Sequence, residues 1–269
     1  MINYLNLMDK ILTKGLPQGD TISLFGESLD FDLERDGFPL VSSRKINYKA
    51  AFGELACFLK GYTSALQFQG AGVNFWNADC KKPSWAMSGK KTHDNDLGKI
   101  YGYQWRYGFG MDQLHELVVN IRKNPESRRH LLMTYNPGDL KEMCLPPCYV
   151  SHQFYVREGK YLDMMVHQRS ADYCIGVPFD IASFALFQTL MAKQTFLKAG
   201  KLKINFGDVH IYNTHIDQAK EQYHVIPSVS KVHLEIDDRS DLFDFTTKDA
   251  SIYNYYPEAS IKYQFMVQK

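Results

Sequence analysis

The chain has 269 residues, 45% hydrophobic and 23% charged, with a formal net charge of +1. That balance describes a globular chain with one large core or two small ones and excludes a disordered one; without a basic block, a long nucleic acid is not the expected partner. No run of about 18 apolar residues is present, so no membrane span is expected, and five cysteines with no signal-type start point to reduced thiols in a cytoplasm.

In chain order, Tyr4, Leu5, Met8, Ile11 and Leu12 fall on one side of a helix over 2–14 that ends at Gly15. Strand-like segments follow around 22–34, then a helix over 46–60 stopped by Gly61. Residues 62–110, rich in glycine, aromatics and polar groups, read as loop. A helix over 111–124 stops before Pro125. HLLMTYNP, YVSHQFYV and YLDMMVHQR read as strands, the last two joined by a hairpin at Arg157-Glu158-Gly159-Lys160. Residues 181–198 read as a long, very apolar, buried helix. Strands and helices alternate without a linker, which predicts one α/β (α+β) domain over 1–269.

Five places carry candidate chemistry. Cys148 in LPPCYV follows two prolines that fix its backbone; it is either a buried structural thiol or a nucleophile, and a nucleophile needs cationic company from Arg169, Arg128 or Arg129. Its CxxxC spacing with Cys144 is not a zinc signature, because no second ligand pair follows. Glu54, amid Ala51, Phe52, Leu55 and Phe58, either points sideways into water or is a general acid/base with a tuned proton affinity. The adjacent Arg128 and Arg129 are either solvated or reach an anion, and side by side on a strand they would face opposite ways. In GDVHIYNTH, the alternation aims His210 and Tyr212 at one side of a strand; a metal site would need a third convergent ligand, which spacing alone does not show. In QRSADYCIGVPFDIASFALFQ, Asp180 opens an apolar segment, where it is a favoured helix cap.

Taken together and in order, DGFPLVSSRK, GELACFLKG, NFWN, IYGYQWR, NPESRRH, LPPCYVSHQFYV, HQRSADYCIGVPFDIASFAL, GDVHIYNTHIDQ and YYPEASIK resemble the thymidylate synthase family over nearly the whole length. The resemblance implies a large mixed β-sheet surrounded by helices, at the interface of a homodimer, and 5,10-methylenetetrahydrofolate as cosubstrate with no metal. Cys148 matches the nucleophile that adds to pyrimidine C6, Glu54 the acid/base acting through water, and Tyr101 the proton-transfer tyrosine. Arg169 and Ser170 match phosphate contacts, with Arg128 and Arg129 contributed by the other subunit. Gln168 and Asp172 join Asp180 on the nucleotide side, His210 and Tyr212 match binders of the ribose 3′-hydroxyl, and Trp76, Asp172 and Gly176 match folate neighbours.

The departures are informative. Where relatives that use dUMP carry Asn, this chain has Asp180, as the dCMP hydroxymethylases that serve phage DNA do. A carboxylate accepts from a cytosine N4 amino group, and Asn caps a helix about as well, so capping does not explain the acid. The phosphate loop before TISLFG is short and lacks its Arg. Asp79 replaces a second tryptophan, the tail YQFMVQK replaces a short apolar end, and Tyr149 stands where many relatives have His. A wetter folate side favours water over hydride as the final reactant. The expectation is therefore dCMP hydroxymethylation in a cytoplasm (the host's, for a phage protein). Methylation of dCMP or dUMP is the alternative, as is a CMP hydroxymethylase. A DNA cytosine methyltransferase lacks support, having neither a glycine-rich cofactor loop nor a basic face here. A non-catalytic relative is disfavoured by the presence of Cys148, Glu54, Tyr101 and Arg169.

Overall fold

The computed structural model describes residues 2–227 and 230–264. Helix α1 (Ile2–Lys14) buries Tyr4, Leu5, Leu7, Met8 and Ile11, as its period requires. The predicted strand region resolves into β1 (Leu16–Gln18), β2 (Thr21–Phe25) and β3 (Ser28–Asp32), followed by a one-turn helix α2 (Leu33–Asp36). Helix α3 (Tyr48–Leu59) starts where the Asn47 side chain accepts from the Ala50 amide and ends before Gly61, whose φ of 70° suits glycine.

The segment read as loop holds four short helices: α4 (Ala65–Gly70), α5 (Trp76–Cys80), α6 (Pro83–Ala86) and α7 (Tyr101–Arg106). At four to six residues each, they are too short to show a period. Helix α8 (Gln113–Lys123) is capped by Asp112, which accepts from the His115 amide at 3.0 Å.

Strands β4 (Leu131–Met133), β5 (Tyr149–Arg157) and β6 (Tyr161–Asp172) follow. The predicted hairpin joins β5 to β6, with Glu158 and Gly159 at φ 57° and 61° and the Lys160 amide donating to the Arg157 carbonyl. That pair of positive φ values matches strand twist. Then come α9 (Gly176–Gln194), β7 (Lys198–Tyr212), α10 (Ile216–Tyr223) and a separate two-stranded sheet of β8 (His233–Ile236) and β9 (Ala250–Tyr253).

The main sheet has seven strands in the order β1-β2-β7-β6-β5-β4, with β3 also on β7; β6 and β7 run parallel and the other pairs antiparallel. This is the mixed α/β architecture with a large sheet that the sequence predicts. Helix α9 is buried on all sides and packs between the sheet and α3, so its apolar surface has no polar face to mark an end. Its span corrects two expectations. It begins five residues before 181, because Pro178 in its first turn lacks only a donor that has no intrahelical partner. Asp180 therefore lies inside the helix and does not cap it; Asp172 accepts from the Cys174 and Ile175 amides ahead of the helix instead, at 3.0 and 3.2 Å. On β5, His152 is fully buried against Trp105, Phe184 and Phe187, and burial pushes its imidazole down to about 3, so it is neutral.

Candidate active site

A pocket of about 310 Å³ opens between α3, α5, α7, the ends of β5 and β6, and the first turn of α9. Its placement follows from close packing. A Cβ on Gly102 would meet the Phe58 carbonyl oxygen at 2.7 Å, so only glycine lets α7 lie this close to α3. That approach stacks Tyr101 on Phe58 at 4.9 Å and brings the Tyr101 hydroxyl to the Cys148 amide, which donates to it at 2.8 Å. Cys148 leads into β5 directly after the two prolines, and its carbonyl accepts from the Arg169 amide on β6 at 2.8 Å.

Among the predicted residues, Glu54, Tyr101, Cys148, Gln168, Asp172 and Asp180 converge on this space. Trp76, Ser170, Gly176 and Tyr212 line it as well. The Trp76 indole N–H donates to Glu54 Oε1 at 2.7 Å, and the Gln168 amide donates to Asp180 Oδ2 at 2.7 Å. Asp79, also in the wall, is paired with Lys82 at 2.7 Å.

Burial dominates the proton affinities. It pushes Glu54 up to about 8, opposed by the Trp76 bond and helped by the charges of Asp180 and Asp79. It pushes Asp180 up to about 7, opposed by the Gln168 bond. The Cys148 thiol is also raised, by burial and then by Asp180, although the Tyr101 bond and the Arg169 charge pull the other way. The expectation that cations favour the thiolate is thus half met: Arg169 acts in the predicted direction, but desolvation outweighs it, and the free pocket holds a thiol.

Of the predicted phosphate groups, Ser170 lines the cavity and the three arginines do not. Arg169 is exposed, its guanidinium donating to the Pro147 and Pro146 carbonyls at 2.8 and 3.3 Å. Arg128 and Arg129 are exposed just before β4, not on it. His210 is buried beside Tyr212, with its Nδ1 on Asp208, and does not line the pocket.

Sequence reading did not single out Phe75, Leu145, Ile175 and Phe179, which supply much of the apolar wall. Phe75 and Phe179 sit inside NFWN and GVPFDIAS, so proximity to the matched motifs was the signal. Such a wall suits a flat aromatic ring system.

Among the described residues no group of three His, Cys, Asp or Glu side chains could hold a metal ion, and no helix is long and apolar enough to cross a membrane. A thiol, three carboxyls with raised proton affinities (Glu54, Asp172 and Asp180) and a tyrosine in one partly apolar pocket are the groups that nucleophilic addition and proton transfer call for. Comparison with known proteins supplies the family. The family model described as thymidylate synthase matches residues 2–267. Thymidylate synthases of three Coxiella burnetii strains, Dugway 5J108-111, RSA 331 / Henzerling II and RSA 493 / Nine Mile phase I, are each 41% identical over 272 residues, covering 97% of this chain and 98% of theirs. The chain belongs to the thymidylate synthase family, whose members are folate-dependent one-carbon transferases acting on a nucleoside monophosphate.

Glu54 gives a pH prediction. A carboxyl whose affinity rises from 4.5 to about 8 on folding binds more protons folded than unfolded, so its contribution is greatest below 4.5 and is lost as pH rises through about 8. The melting temperature of the wild type should therefore fall relative to Glu54→Gln across that window. Parallel melting curves of the two proteins would have Glu54 ionised already at neutral pH.

Proposed function

We propose that the chain is a dCMP C5-hydroxymethylase, taking dCMP, 5,10-methylenetetrahydrofolate and water to 5-hydroxymethyl-dCMP and tetrahydrofolate. The observation that carries this reading is the Asp180 carboxyl in the pocket wall, oriented through Oδ2 by the Gln168 amide and holding a proton near neutral pH. Oδ1 is then left for the base. A carboxyl there accepts from the cytosine N4 amino group and gives its proton to N3.

In this reading Cys148 Sγ bonds to C6, the thiol proton replaces the one Asp180 passes to N3, and C5 becomes nucleophilic. Cosubstrate supplies the one-carbon unit. Tyr101 and Glu54 then carry the C5 proton away, Glu54 through water and held in place by the Trp76 N–H. Loss of that proton expels tetrahydrofolate as the leaving amine and leaves an exocyclic methylene. Water adds to it, the electron pair re-forms the C5–C6 double bond as the C6–S bond breaks to release Cys148, and the N3 proton returns to Asp180 in exchange for the one that goes back to sulfur.

The Asp79–Lys82 ion pair supports water as the final reactant. It keeps a carboxylate, Asp79, in a wall where the family resemblance has an indole, and a charge holds water where an indole excludes it. One observation favours a second reading: the 41% identical relatives are named thymidylate synthase, which would mean a methyl product, from dUMP or dCMP. Absorbance separates the two, since methylation releases dihydrofolate and hydroxymethylation does not. No dihydrofolate should form while nucleotide is consumed; stoichiometric dihydrofolate would establish the methylating reading.

The protein is proposed to act as a homodimer. On the sheet face opposite α9, Leu131 and Tyr155 are 43% and 61% exposed, a large apolar contribution to an open sheet surface. A partner on that face would supply its Arg128 and Arg129 to the phosphate held by Arg169 and Ser170, which gives two exposed adjacent arginines a role and offsets the Arg absent from the short β1–β2 turn. His210 and Tyr212 are proposed for the sugar, and Trp76, Asp172 and Gly176 for the folate side. One domain over 1–269 and a cytoplasmic location complete the proposal. The expectation for the tail falls mostly on residues 265–269, outside the described residues; Tyr263, just before them, donates to Gln222 Oε1 at 2.7 Å beneath the Arg44 guanidinium.

A further inference from the structure

A second cavity, of about 460 Å³, lies away from the catalytic pocket. It is formed by the last turn of α3, by α4 and by the short turn Thr247–Asp249 that precedes β9. Lys60, Tyr62, Gln67, Thr247 and Lys248 line it, over a floor that includes Cys57. No Asp or Glu is among its lining residues.

Neither ammonium group has an ion pair or hydrogen-bond partner among the described residues. Several nearby acceptors are already engaged. Asp249 accepts from the Thr246 amide and hydroxyl at 2.7 and 2.9 Å. The carbonyls at the end of α3 are taken as well: Ala56 by the Lys60 amide, Phe58 by the Gly61 amide, Cys57 by the Tyr62 amide and Leu59 by Arg106. Lys60 is therefore not needed to satisfy those carbonyls, and the helix end gives no reason for Lys248.

Two like charges facing one concave space repel each other, and low-dielectric walls focus their field into it. Hydroxyl and amide donors beside ammonium groups are the chemistry that binds phosphoryl oxygens. The volume falls within the range of small-molecule sites, about 300–1,000 Å³, and exceeds what one orthophosphate fills.

We infer that this cavity is a second ligand site, for a phosphorylated small molecule carrying more than one phosphoryl group. The inference is independent of the reaction proposed above, because no residue lines both cavities.

The test is calorimetric titration of the whole protein with inorganic pyrophosphate. Lys60→Met/Lys248→Met should weaken binding at least tenfold, while Arg169→Ala, which alters the catalytic side, leaves that binding in place. Should the double variant fail to fold, Lys248→Glu on the exposed turn makes the same test. Wild type that binds no pyrophosphate, a double variant that binds it as wild type does, or binding lost in Arg169→Ala alone would each overturn the inference. Orthophosphate should bind more weakly than pyrophosphate; equal affinity would mean a simple anion site and reject a phosphorylated metabolite.

Discussion

Cys148→Ala should lose turnover by roughly four orders of magnitude or more, the scale seen when a nucleophile that acts as part of a unit is removed. The thiol stands in the pocket wall with Tyr101 on its amide and the Arg169 amide on its carbonyl. Both bonds are to backbone atoms, so the alanine variant keeps them and loses only the thiol's own contact with Tyr101; the change in stability should stay within about 1 kcal/mol. Nucleotide binding should survive, because the groups proposed to hold base, sugar and phosphate are untouched. Single-turnover assays together with equilibrium binding of the nucleotide check this. Appreciable turnover by Cys148→Ala would mean that no covalent bond to sulfur is needed.

Asp180→Asn should lower kcat/KM for dCMP and raise it for dUMP. Two effects add. An amide oxygen can still accept from Gln168, so the side chain stays oriented, but the amide nitrogen then presents a fixed donor to the base. Mispairing one buried polar group costs about 1–3 kcal/mol, roughly a factor of ten to a hundred. The amide also has no proton to give N3, and positioned acid catalysis contributes about 10²–10⁴-fold. The loss for dCMP should therefore exceed what mispairing alone explains and appear in kcat as well as KM. Competition between the two nucleotides, measured on wild type and variant, gives the ratio; an unchanged ratio would remove Asp180 from base selection.

How far the sequence reached differs by element, for physical reasons. Helix α1 was legible because one buried stripe sets a period, and the β5–β6 hairpin because a glycine-containing turn sits between two apolar runs. The start of α9 was not legible, since a helix buried on every side carries no stripe, and that error made Asp180 look like a cap. The short helices of 65–106 escaped because a helix of four to six residues is specified by its neighbours rather than by its own pattern.

For the site, ordered motifs identified Cys148, Glu54, Tyr101, Gln168, Asp172 and Asp180, and the fold brings them into one pocket. What motifs do not carry is desolvation. The Cys148 thiol, drawn toward ionisation by Arg169, is raised instead because burial and Asp180 outweigh one exposed guanidinium. Nor does a motif show which way a long side chain turns, which is why Arg169 on the proline carbonyls and the Asp79–Lys82 pair emerge only in three dimensions.

The proposed reaction is hydroxymethylation of the cytosine of dCMP in this pocket. The most direct measurement incubates the protein and methylenetetrahydrofolate with dCMP, CMP and dUMP in parallel and weighs each product. The account predicts that dCMP gains one carbon, two hydrogens and one oxygen, with dUMP left unreacted. A methyl group added to dUMP, with dCMP inert, would contradict it.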